Sequence, residues 1–150
     1  MRKLLMVLVV ITVSGVFAVS QLQRLSVDTS LSNWHQNSAG YQTALALQEQ
    51  NGKPIALFFH TEWCASCKQL SSNVLAQRDV NDFLQRFIAV KINPEISADE
   101  ARLAKQYNVL GFPTFLIKKA ASENIIRIPV SSRTRPQQFV QLCEQATTAV

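Results

Sequence analysis

Trp63-Cys64-Ala65-Ser66-Cys67-Lys68 constrains this chain more than any other stretch. The apolar run before it, Ile55-Ala56-Leu57-Phe58-Phe59, has the length and the β-branched, aromatic character of a buried strand. After it, Leu70, Val74 and Leu75 recur at helical spacing. Two cysteines separated by two residues at a strand-to-helix junction read as a thiol–disulfide redox pair. In the first turn of a helix, unpaired N–H groups and the positive end of the dipole favour a thiolate. The thiolate is the attacking nucleophile, and a second cysteine this close resolves the mixed disulfide. Cys64 takes the first role and Cys67 the second. The competing reading is half of a zinc site, but structural zinc takes four ligands, usually as two matching pairs. Only His35, His60 and Cys143 remain as further donors, none of them paired, so no metal is expected.

The chain of 150 residues suggests one domain, and with 47% apolar residues it has material for a single core. Neither disorder nor a fibrous class fits this composition. Arg2-Lys3 followed by the apolar run from Leu4 to Val19 has the form of an export signal, with Ala18-Val19-Ser20 as the cleavage region. The run, about 16 residues long, falls slightly short of a bilayer span. Residues 1–20 are therefore expected to be a signal peptide, with a retained membrane anchor as the alternative. Residues 21–33 read as a polar linker and 34–150 as the folded domain. The net charge of +5 is modest and its basic residues are scattered, which gives nucleic-acid binding no support. Three cysteines are too few, and odd in number, for a disulfide-stapled scaffold.

Further along, Tyr41, Ala44, Leu45 and Gln48 keep helical intervals up to an Asn51-Gly52 stop. Trp34 is expected to cover an edge of the core. Asp79 to Leu84 reads as a short helical turn and residues 87–92 as a second buried strand. Ser97-Ala98-Asp99-Glu100 is a capping box opening a helix that turns Ala101, Leu103, Ala104 and Tyr107 to the sheet. Gly111-Phe112-Pro113-Thr114 leads into Phe115-Leu116-Ile117, and Ile125-Ile126-Arg127-Ile128 is a further strand. Thr134-Arg135-Pro136-Gln137 resembles a second capping box. The last helix carries Phe139, Leu142, Cys143 and Ala146 on one face, which makes Cys143 a core thiol. An α/β beginning and a hairpin finish predict a central mixed β-sheet flanked by helices on both faces.

Trp63-Cys64-x-x-Cys67-Lys68 followed by Gly111-Phe112-Pro113-Thr114 resembles thioredoxin. Residues 53–114, and especially the stretch from Leu103 to Thr114, are most similar to the periplasmic C-terminal domain of DsbD-type thiol reductases and their stand-alone relatives. The resemblance covers Trp34 to the C-terminus and implies an α/β thioredoxin fold. It implies a cis peptide before Pro113, set against the cysteines, and a Phe112 backbone that binds extended substrates. It makes Trp63 a shield over the disulfide and part of the substrate platform. Lys91 matches the lysine that thioredoxin sets beside a buried acid.

That acid itself is missing. The family carries it six residues before the first cysteine, where this chain has Phe58, and the DsbD-type domain has a second acid where this chain has Ser71. A cation kept beside a site that has lost its anion lowers a thiol pKa, so Cys64 is expected to be more acidic than its thioredoxin counterpart. His60 either supports the site by stabilising the thiolate or shuttling a proton, or packs as an aromatic would; packing is the preferred reading. Glu62 is expected to be exposed. Lys68 either favours the thiolate or is an ordinary exposed helix lysine.

These residues predict an exported, periplasmic thiol–disulfide oxidoreductase with no organic cofactor, its redox group being the Cys64–Cys67 disulfide. The resemblance implies that it reduces partner proteins, drawing electrons from a membrane thiol reductase. Loss of the acid favours an oxidase or isomerase instead. Outside that class stand a redox-inert module binding peptides at Phe112-Pro113 and a metal chaperone using both thiolates.

Overall fold

The computed structural model describes residues 31, 33–120, 122 and 124–148. The leader expected over 1–20 and nearly all of the linker over 21–33 lie outside the described residues.

Among the described residues eleven elements follow one another: β1 (His35–Gln36), α1 (Asn37–Asn51), β2 (Ile55–Phe59), α2 (Ala65–Leu70) with a π-helical continuation (Ser71–Leu75), α3 (Arg78–Leu84), β3 (Ile88–Ile92), α4 (Ala98–Gln106), β4 (Thr114–Lys118), β5 (Ile125–Ile128) and α5 (Pro136–Thr148). The five strands form one sheet in the order β1-β3-β2-β4-β5. The pairs β1–β3 and β2–β3 are parallel, whereas β2–β4 and β4–β5 are antiparallel. The mixed sheet matches the thioredoxin-like architecture expected from the sequence.

Side chains alternate across a strand, so β2 feeds two cores. Ile55, Leu57 and Phe59 join Tyr41 and Ala44 of α1 and Leu103 and Ala104 of α4 on one face. Ala56 and Phe58 point to the other, among Cys64, Cys67, Leu70, Val74 and Phe139 from α2, its π-helical continuation and α5. All five side chains of β2 are fully buried, which explains its unbroken apolar run.

The ends of the helices show which local signals acted. Gly52 closes α1 with φ 70°, its N–H donating to Gln48 O at 2.9 Å, a backbone conformation that glycine adopts without a Cβ clash. Ser97 caps α4 by accepting from Asp99 N–H at 3.1 Å and donates to Glu100 Oε2. Glu100 also receives Ser38 N–H at 3.0 Å and the Ser38 hydroxyl at 2.6 Å, so this capping carboxylate ties α4 to the start of α1.

Three expectations need correcting. Ala101 faces solvent, because the buried stripe of α4 runs through Glu100, Leu103 and Ala104. Thr134 does not cap α5: its Oγ1 accepts from Ser131 N–H at 2.8 Å and closes the preceding turn. Pro136 is the first helical residue, where its missing N–H costs nothing. Trp34 lies inside the core rather than at its edge, edge-on to Phe58 and Phe115 with 6.4 Å between ring centroids in each case.

Candidate active site

Strand β2 ends at Phe59, and residues 60–64 turn the chain into α2. Thr61 O accepts the Cys64 N–H at 3.3 Å, and Cys64 is the N-cap of the helix. Cys64 and Cys67 form a disulfide with Cα atoms 5.2 Å apart, both residues almost wholly buried. Cys67 N–H donates to Cys64 Sγ at 3.1 Å, and Ser66 Oγ lies 3.4 Å from the same sulfur. A cap position of this kind aims N–H dipoles at one sulfur and leaves the other behind it in the helix. Negative charge is therefore favoured on Cys64 when the pair is reduced.

Across from this turn, residues 111–113 precede β4, and the Phe112–Pro113 peptide bond is cis. The Trp63 ring meets the Phe112 ring edge-on at 6.3 Å, and Phe112 packs against the cluster holding both cysteines. Trp63, next to Cys64, and Phe112, next to Pro113, are thus brought together beside the buried cysteine pair, although they come from two segments. Trp63 itself is 68% exposed, its indole N–H donating to Glu95 Oε1 and Oε2 at 3.0 and 2.9 Å. Its tether pulls it toward the β3–α4 loop. Asn93 Oδ1 in turn receives the Glu95 N–H at 3.1 Å and fixes that loop.

Behind the turn, Phe58 stands opposite Lys91 in the β2–β3 register. Among the described residues, Lys91 has no ion-pair partner and Phe58 is fully buried. His60 stacks on Phe58 with centroids 5.6 Å apart and is buried, as the packing reading expects. Burial, then the Lys91 ammonium, lowers its pKa to about 4, so it is neutral at pH 7 and offers no imidazolium to a thiolate. Lys68 is exposed in the last turn of α2, and Glu62 is exposed as well. Cys143 is fully buried in α5, where burial first and Glu144 second push its pKa up to about 12.

Sequence reasoning missed three residues. Ser66 lies within the motif, but its hydroxyl's approach to Cys64 follows from the helix turn, not from composition. Glu95 is 32 residues from Trp63, and nothing local marks the contact. Arg127 interrupts an otherwise apolar strand, a signal that was visible but not used. Among the described residues no group of three His, Cys, Asp or Glu side chains is placed to hold a metal ion, and no helix is long and apolar enough to cross a membrane.

A redox cysteine pair capping a helix beside a cis-proline turn, on this sheet, defines a thiol–disulfide oxidoreductase of thioredoxin fold. The family model described as a thioredoxin-like domain matches residues 41–147, and the chain belongs to that family. The thiol:disulfide interchange protein DsbD of Yersinia enterocolitica is 30% identical over 101 residues, covering 67% of this chain and 18% of that protein. DsbD of Neisseria meningitidis is 28% identical over 103 residues, 67% of this chain and 16% of that protein. The chain thus spans less than a fifth of the length of these relatives. The oxidised C-terminal domain of Neisseria meningitidis DsbD superposes with a TM-score of 0.63 at 23% identity, covering 75% of this chain and 97% of that domain. A thioredoxin from Thermus thermophilus gives 0.61 at 26% identity, over 75% of this chain and 87% of its own.

Proposed function

We propose that this protein is an exported thiol–disulfide reductase of partner proteins. What carries the reading is the Cys64–Cys67 pair, with Cys64 as helix cap, beside Trp63, whose ring meets Phe112 of the Phe112–Pro113 turn. In the reduced protein, the Cys64 thiolate attacks one sulfur of a partner's disulfide. A Cys64–partner disulfide forms and the partner's other sulfur leaves as a thiolate that takes a proton. Cys67 loses its proton and attacks Cys64 Sγ, releasing the partner's second thiolate and regenerating the Cys64–Cys67 disulfide. The partner gains two electrons and this chain loses two. A separate dithiol donor must then return them.

Trp63 and Phe112 offer an apolar platform to an extended partner, and the Phe112 backbone supplies hydrogen bonds to it. Lys91 and the α2 terminus hold the thiolate. His60 packs behind it, and Lys68 is a solvated helix lysine. The residue 1–20 leader supports export to the periplasm, and the similarity to DsbD supports a membrane thiol reductase as donor.

The reduction potential of the purified protein, equilibrated against glutathione, tests the direction of electron flow. A value near about −270 mV is expected for a reductase. A value near about −120 mV would make the site an oxidant, the reading that the missing acid at Phe58 favours.

A further inference from the structure

We infer that Arg127 is the positioning residue that holds the Phe112–Pro113 turn in place for partner docking; the inference rests on the exchange function proposed above. Arg127 lies on β5, the edge strand, and pairs with Leu116 of β4. Opposed residues of an antiparallel pair point to the same face, so its side chain emerges on the α4 side of the sheet, diagonal to Thr114. From there the guanidinium bridges two points of the chain. Nη1 donates to Thr114 Oγ1 at 3.1 Å and Nη2 donates to Asn108 O at 3.0 Å. Thr114 Oγ1 in turn donates to Gly111 O at 2.8 Å.

Asn108 and Thr114 are the two ends of the segment that carries Gly111, Phe112 and Pro113. One end is the turn after α4, where Asn108 has φ 50°, and the other is the first residue of β4. A single planar fork therefore clamps both ends of the docking segment. A second bond reaches the segment's interior through the threonine hydroxyl. A guanidinium presents donors in a fixed geometry suited to two acceptors at once, which a point-charge ammonium does not reproduce. Among the described residues Arg127 pairs with no carboxylate, so its charge is spent on these two neutral oxygens. Arg127 touches neither cysteine and is exposed. Its effect reaches the reaction only through the height and tilt of the turn.

That separation dictates the test. Pre-reduced full-length protein is mixed with one of two disulfides, insulin or hydroxyethyl disulfide, and oxidation of Cys64–Cys67 is followed by tryptophan fluorescence. Insulin needs the docking turn because it binds through its backbone; hydroxyethyl disulfide has no backbone and needs only the thiolate. Arg127→Ala is expected to slow the insulin reaction about fivefold, the loss of two modest hydrogen bonds, and to leave the small disulfide unaffected. Arg127→Lys restores one donor and recovers part of the insulin rate. If Arg127→Ala does not fold, Thr114→Val, which removes the shared hydroxyl while keeping the β-branched shape, is expected to slow insulin selectively. An Arg127→Ala protein with the wild-type insulin rate, or one slowed equally with both disulfides, overturns the inference. A wild-type protein that reacts with neither disulfide overturns the exchange function beneath it, a result distinct from either.

Discussion

At the scale of single residues, the site differs from its family pattern at Phe58, and the structure shows what replaced the acid. Phe58 is fully buried, stacked by His60 and met edge-on by Trp34, so an aromatic cluster occupies the space behind the cysteines. Lys91, opposite Phe58, is left without a carboxylate partner among the described residues. The Cys67 N–H aimed at Cys64 Sγ favours the thiolate, and the role proposed for Lys91 is to add to it. Titration of the thiolate's ultraviolet absorbance in the reduced protein is therefore expected to place Cys64 below the free-cysteine value of about 8.5. Phe58→Asp should raise it while destabilising the fold by about 3 kcal/mol or more, through a lost aromatic and a buried carboxylate. An unchanged titration in Phe58→Asp would show that the neighbouring charge does not reach the sulfur. His60 allows a second check. Its folded pKa of about 4 lies below the unfolded value of 6.5, so the unfolded chain takes up the proton first. Stability is then lost as pH falls from 6.5 toward 4, and no His60 titration appears in the activity near neutrality. Its imidazole resonances should stay in the neutral form down to about pH 5. Titration near 6.5 would mean that the ring is wet.

Among the elements, α4 shows how far local sequence reaches. The Ser97 and Glu100 pattern named the cap, and the cap formed, because its hydrogen bonds close within one turn. What stayed hidden is that Glu100 also accepts two bonds from Ser38, 62 residues away, which turns a local cap into a link between α4 and α1. The Ala101 error has the same origin. Leu103, Ala104 and Tyr107 are buried as the apolar spacing expects, but the fourth place on that face goes to Glu100, which Ser38 holds, and not to apolar Ala101. These bonds, from Ser38 and Ser97, lower the Glu100 pKa from 4.5 to about 2. A folded carboxylate held below its unfolded value contributes stability that is complete above pH 4.5 and disappears as pH falls toward 2. Glu100→Gln is expected to cost about 2 kcal/mol at neutral pH and to flatten the acid limb of the stability curve in that window. Urea unfolding at a series of pH values measures both. An acid limb as steep as the wild type's would assign it to other carboxylates.

For the molecule as a whole, the exchange cycle demands that both redox forms stay folded, and the architecture provides for this. The disulfide closes a loop with a sequence separation of only 3, so its chain-entropy contribution is about 2 kcal/mol, well below that of a long-range bridge. The two cores share one sheet, with β2 contributing to both, and only one of them contains the bridged cysteines. The sheet was legible in the sequence because buried strands and helix caps are local signals. The surface was legible only in part, because Glu95 and Arg127 reach their partners through register and loop geometry that no short window contains. Reduction also has a compensating effect. If the fold favours the Cys64 thiolate, the reduced form gains stability above its folded thiol pKa, and the gain grows until pH passes the unfolded value near about 8.5. At a pH low enough to protonate the thiol in both states, the oxidised protein should melt higher by the full crosslink term, about 5 °C for a chain of this size. At pH 8 the gap should shrink or reverse. Each form should unfold in a single transition, with fluorescence and circular dichroism coinciding. Buried Cys143 should resist alkylation until that transition. A melting gap that does not change between that low pH and pH 8 would mean that the fold gives Cys64 no thiolate stabilisation, and that the site's potential is set by the crosslink alone.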